Sequence, residues 1–180
     1  MGWSSFHLTE PVKDWFINGI NNKDYEVLDV AIVKRKTLYA AVRVKATGEV
    51  YCAVYLLSFT RGYDNFAYKS MDESVCPYAY DCPERIFNRL TPLNSNDEAN
   101  KYALQWREIV KEHHAKRKSL LGDRIIHIPE GVALNNGKTV HYFHKYGKKL
   151  YAGIMINGKF DPYFQVRNFS LMKYNVEILR

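Results

Sequence analysis

Apolar positions along the chain change period several times, and each change marks a different kind of element. Val12, Trp15, Phe16 and Ile20 recur at helical spacing behind Thr9-Glu10-Pro11. A capping threonine with proline in the first turn predicts a helix start, and Asn21-Asn22 predicts its end. From Tyr25 the period falls to two. Residues 25–33, 37–46 and 49–59 are predicted strands, the last two joined by a turn at Thr47-Gly48. Alternation sends Leu38, Ala40, Val42 and Val44 to one face of the middle strand, and Tyr39, Arg43 and Lys45 to the other. Val50, Cys52, Val54 and Leu56 share a face of the next strand, opposite Tyr51 and Tyr55. The expectation is a sheet with one apolar side and one side carrying tyrosines, Arg43 and Lys45.

Residues 65–71 predict a fourth short strand, and 72–83 an irregular segment with Pro77 and Pro83. Pro83-Glu84 predicts a short helix through Ile86, Phe87 and Leu90, closed by Thr91-Pro92. Asp97-Glu98 suits the start of a longer helix, because acidic groups are stabilised at the positive end of the helix dipole. Its apolar stripe is Tyr102, Trp106, Ile109 or Val110, and His113, and it ends in the cations of 113–118. Beyond Gly122 the pattern is all β, with strands predicted at 124–128, 139–146, 149–156, 159–166 and 174–179. Asn136-Gly137 and Asn157-Gly158 are strong hairpin signals, and Tyr146-Gly147 supplies a third turn. So many short strands in so little chain predict a small, strongly bent barrel of the Src-homology-3 or OB kind. The expected fold class is therefore α+β: an antiparallel sheet with packed helices in 1–118, then a small five-stranded β-barrel in 119–180 that can pack with it as one unit.

Composition narrows the function. The chain has 180 residues, 47% hydrophobic and 25% charged, the balance of a globular protein. Fourteen tyrosines raise the aromatic share to 14%, and tyrosine can fill a core edge, stack on a base or anchor an interface. No run approaches the about 18 apolar residues that span a bilayer. The opening Met1-Gly2-Trp3-Ser4-Ser5-Phe6-His7 lacks the basic and apolar regions of a signal peptide. Gly2 fits a myristoylation site in outline, but Phe6 stands where Ser or Thr is usual. Three cysteines argue against a disulfide framework. A cytoplasmic protein without membrane partners is expected. The net charge of +7 is unevenly placed: residues 1–100 carry 11 Lys/Arg against 13 Asp/Glu, and residues 101–180 carry 15 against 6. Such asymmetry points to an anionic partner.

Candidate chemistry is sparse. Cys52, Cys76 and Cys82 lack the spacing of a zinc site, and a structural thiol is the favoured reading of each. Cys82 precedes a helix start, which lowers a thiol pKa, so an enzyme using it as nucleophile is one alternative. A magnesium ion held by Asp72, Glu73 and Asp81 is another. His113, His114, His127, His141 and His144 are surface or interface residues by the same reasoning, since His141 and His144 fall on opposite faces of a strand. There is no phosphate-cradling glycine loop, zinc-hydrolase signature or nucleophile elbow, and no cofactor is expected.

The basic residues form a more coherent set. Lys116, Arg117, Lys118 and Arg124 lead into Lys138, Lys145, Lys148, Lys149, Lys159, Arg167 and Lys173. Tyr142, Phe143, Tyr146, Tyr151, Tyr163 and Phe164 are interleaved with them. Lysines neutralise phosphates while exposed rings stack on bases, the chemistry of RNA and single-strand binding. The residues expected to make phosphate or acidic contacts are Lys116, Arg117, Lys118, Arg124, Lys145, Lys148 and Lys149, with Tyr146 and Tyr151 as aromatic partners. A third reading is a protein-only interaction module anchored by exposed tyrosines.

Two stretches carry a resemblance. The opening heptapeptide is similar to the Met-Gly-Trp-Thr-Ser-Tyr-His start of a family of uncharacterised phage and mobile-element proteins. Phe66-Ala67-Tyr68-Lys69-Ser70-Met71-Asp72-Glu73-Ser74, Pro77-Tyr78-Ala79-Tyr80-Asp81-Cys82-Pro83, Leu90-Thr91-Pro92 and Tyr102-Ala103-Leu104-Gln105-Trp106-Arg107 resemble its central block in order and spacing. Cys76 stands where glycine is commoner in that family. The likeness covers the first 110 residues or so and brings no activity with it. What it implies is an origin in which small non-enzymatic proteins often bind a host nucleoprotein, as counter-defence inhibitors of the anti-CRISPR type do.

Overall fold

The computed structural model describes residues 2–7, 9–59, 65–135 and 137–179. The chain divides into two compact units, Met1–Glu112 and His113–Arg180. Unit 1 contains β1 (Ser4–His7), α1 (Val12–Ile20), β2 (Tyr25–Val33), β3 (Thr37–Val44), β4 (Val50–Phe59), β5 (Asn65–Asp72), α2 (Glu84–Phe87) and most of α3 (Lys101–Ser119). Strands β2 to β5 form an antiparallel meander, and β1 pairs with β5 to give the order β1-β5-β4-β3-β2. Helix α1 starts later than a Thr9 cap would place it. Pro11 is its N-cap, with a carbonyl that accepts from the backbone N–H groups of Asp14 and Trp15 and no side-chain cap.

The sheet of unit 1 is covered on both faces, which corrects the one-sided expectation. Val12 and Phe16 of α1 pack on Val30, Leu38, Ala40, Val42, Ala53 and Phe66. On the opposite face Ala31, Tyr39, Ala41, Cys52 and Val54 pack against Ile86 of α2 and Trp106 and Val110 of α3. Alanines on both sides let helices approach closely. The tyrosines separate: Tyr39 is wholly buried on the α3 side, while Tyr51 and Tyr55 pack on the α1 side. Tyr39 tolerates burial because its hydroxyl donates to Asp81 at 2.8 Å.

A short 3₁₀ turn, Glu98–Asn100, leads into α3. The buried stripe of that helix is Ala103, Trp106, Arg107 and Val110, shifted from the expected one, and Tyr102 is exposed. Arg107 enters the core because Glu73 meets it there. Its Nε and Nη2 donate to the two carboxylate oxygens at 2.6 and 2.7 Å, and Nη1 donates to the Thr91 carbonyl. Trp106 Nε1 donates to the Ala79 carbonyl at 3.0 Å, which pins the irregular segment after β5.

Unit 2 contains the last turns of α3, then β6 (Arg124–Ala133), β7 (Thr139–Tyr146), β8 (Lys149–Ile156), β9 (Lys159–Val166) and β10 (Glu177–Ile178). Its sheet order is β10-β6-β7-β8-β9, antiparallel throughout. The expected barrel is corrected to an open sheet: among the described residues no pairing joins β9 to β10. The physical reason is that β10 is two residues long and β9 is largely exposed, so neither edge can close on the other. Strand β6 runs five residues past its expected end by bending. Gly131 has φ +70°, and a side chain there would collide with Thr139 and His141. The core comprises Leu120, Ile126, Ile128, Val140, Phe143, Leu150 and Ala152. Leu171 plugs it from a 3₁₀ turn, Leu171–Lys173, just ahead of the position where the last strand is predicted to begin.

Candidate polyanion interface

Two local structures gather cations in unit 2. The first is the C-terminal end of α3, where Lys116, Arg117 and Lys118 meet the negative end of the helix dipole. The second is the β7–β8 hairpin. Its loop has only two residues between Tyr146 and Lys149, with Gly147 at φ +56° in the first position, where a tight hairpin needs left-handed backbone. So short a turn holds Lys145, Lys148 and Lys149 within one small region.

Arg117 from the helix and these three lysines line a single groove of about 290 Å³. Its apolar lining comes from Leu120, Leu121, Leu150, Phe169, Leu171 and Met172, and Ser170 completes it. No Asp or Glu lines it among the described residues. The four carboxylates of unit 2 include three that are committed elsewhere: Asp123 meets His144, Glu177 meets His127 at 2.7 Å, and Glu130 accepts from the Asn175 N–H at 3.0 Å. Unit 2 carries twelve Lys/Arg against four Asp/Glu, a clear surplus of positive charge.

Four of the nine expected contact residues thus come together. The other five do not line the groove. Lys116 is a fastener, its Nζ donating to the carbonyls of Met172 at 3.2 Å and Tyr174 at 2.6 Å. Arg124 donates to the carbonyls of Ser119 and Asp123. Lys118 is exposed near the end of α3. Tyr146 is exposed with its ring 6.3 Å from His144. Tyr151 lies in the cross-strand row His144–Tyr151–Gln165, and alternation turns it away from Leu150, which lines the groove. The residue pattern does not reveal the part played by Phe169 to Met172. Only the apolar pair Leu171-Met172 hints at burial, and nothing ties it to distant lysines.

The catalytic alternatives are not supported by the geometry of unit 1. Cys82 is buried in the core beside Cys52, where a substrate cannot reach it. Burial and a hydrogen bond with Cys82 push the Cys52 thiol up, which keeps it protonated. Asp72, Glu73 and Asp81 each serve a different partner. Asp72 accepts from the Ser74 N–H and hydroxyl, Glu73 binds Arg107, and Asp81 accepts from Tyr39 and, at 2.9 Å, from Lys34. Among the described residues no three His, Cys, Asp or Glu side chains are grouped to hold a metal ion.

No family model matches this chain, and no curated protein or solved structure matches it.

Proposed function

We propose that the protein is a non-catalytic nucleic-acid binder that engages phosphates through the groove of unit 2. The observation that carries this is the meeting of Arg117, Lys145, Lys148 and Lys149 around an apolar surface with no carboxylate lining it among the described residues. Cations gathered without counter-charges repel one another, and a phosphate backbone removes that cost while releasing its own counterions. Arginine adds a planar face that stacks on unpaired bases, which favours RNA or single strands over a smooth duplex. In the mobile-element setting implied by the resemblance, the nucleic acid would belong to a host nucleoprotein, and binding would act as counter-defence.

The test is the salt dependence of binding a fluorescent twelve-nucleotide RNA to the intact protein. The four cations of the groove contribute about −3 to the log–log slope, at roughly −0.7 per contact for single strands. Lys148→Ala/Lys149→Ala together should make the slope shallower by about 1.4. Lys116→Ala should leave it unchanged, because that lysine does not line the groove and is held by the carbonyls of Met172 and Tyr174. Binding that ignores salt, or an unchanged slope in the double variant, contradicts the proposal.

A further inference from the structure

The basic groove is the first of three adjoining clefts in unit 2. Phe169 borders both the groove and a second cleft of about 470 Å³, which also carries Gln165, Arg167 and Tyr174. Leu134 and Phe164 border that second cleft and a third of about 600 Å³, where Lys138, Tyr142 and Tyr163 stand. Each cleft therefore shares a wall with the next. The first touches β7 at Lys145 and the third touches it at Thr139, so the series spans roughly 20 Å at about 3.3 Å per strand residue.

Charge and aromaticity follow the same line. Four cations stand in the first cleft, Arg167 in the second and Lys138 in the third, and among the described residues no Asp or Glu lines any of the three. Phe169 is a rigid ridge, its ring stacked between Phe143 at 5.4 Å and Tyr174 at 5.1 Å. Tyr163 and Phe164 on the exposed strand β9 are different. They are 56% and 42% exposed, so their rings are accessible to a ligand.

We infer that the three clefts form one track for an extended single-stranded nucleic acid several nucleotides long. This deepens the function proposed above and rests on it. The phosphates follow Arg117, Lys145, Lys148, Lys149, Arg167 and Lys138, and unpaired bases lie against Tyr163 and Phe164. A duplex keeps its base faces stacked internally and cannot use those rings, whereas a single strand exposes them. The span suits about four nucleotides or slightly more, the low end of site sizes for single-strand binders.

A length series on the intact protein at low ionic strength tests this. Oligouridylates of two, four, six and eight nucleotides serve as probes, beside a blunt RNA duplex, an abasic hexamer and a poly-glutamate of equal charge. Affinity should rise at least tenfold from dimer to hexamer and then level off. The duplex, abasic hexamer and poly-glutamate should each bind at least fivefold more weakly than the hexamer. Tyr163→Ala and Arg167→Gln, both at exposed positions, should each weaken the hexamer about fivefold while sparing the dimer, and Tyr163→Phe should restore it. If the dimer binds as well as the hexamer, or the duplex or abasic hexamer matches it, the track is overturned while phosphate binding at the first groove stands; if poly-glutamate matches it, the nucleic-acid reading fails as well. If no oligonucleotide binds at all, the proposed function itself fails.

Discussion

Asp81 is a candidate metal ligand in the sequence and behaves as a fastener in the fold. Burial alone would raise its pKa, but hydrogen bonds from Lys34 and Tyr39, with the Lys34 charge, outweigh that and hold the carboxyl below its ordinary value of 3.8. The same arrangement raises the Tyr39 phenol, first through burial and then through the Asp81 charge. A carboxyl depressed in the folded state is ionised there under conditions that protonate it in the unfolded chain. The unfolded chain then binds more protons, so this stability is complete above the unfolded value and is lost as pH falls below it. Asp81→Asn should therefore flatten the acid limb of unfolding free energy below about pH 4, measured by urea titration at each pH. An unchanged limb in the variant would show that Asp81 is not held in this way. The identity of the cations is legible in the sequence, but their destinations are not. Lys116 and Arg117 are neighbours on one helix, yet one meets two carbonyls and the other a groove. Residues some 55 positions later decide the difference.

Strands with clean alternation and a two-residue turn are legible to the residue, as β7, β8 and β9 show. A short loop with Asn-Gly or Gly in the first position allows little choice of register. Legibility fails where tertiary partners override the local pattern. Pro129 and Gly131 suggest the end of a strand, but β6 bends there and continues. Arg107 looks solvent-facing until Glu73 appears opposite it, which shifts the buried stripe of α3. Tyr39 belongs to no apolar pattern without Asp81 to accept its hydrogen bond. Gly153 makes a testable case at this level. It sits at the register shift between β8 and β9, and a side chain there would collide with the Asp161 carbonyl and the Phe160 ring. Gly153→Ala should cost about 1–3 kcal/mol of stability, the usual range for overpacking. Amide exchange across 159–166 should accelerate relative to β7, and unchanged protection there would show that β8 and β9 tolerate the added methyl.

Across the whole chain the net charge of +7 is not shared between the units. Unit 1 holds 14 Lys/Arg against 15 Asp/Glu, and unit 2 holds twelve against four. The surplus of the C-terminal part is legible in the order of residues alone, because charge counts need no fold. The sequence does not show that only part of the surplus gathers at one opening, or that exposed rings on β9 continue it. Both depend on which strands and turns meet in space. Among the described residues no helix is long and apolar enough to cross a membrane. The central claim is that unit 2 receives nucleic acid along the groove between the end of α3 and the β7–β8 turn. Backbone chemical-shift mapping of the intact protein, titrated with hexauridylate at low salt, tests it most directly. The account predicts that perturbations concentrate at 117–121, 134–135, 138–142, 145–150 and 163–172 and leave the sheet of unit 1 unmoved. Shifts centred in unit 1, or none at saturating hexamer, would contradict it.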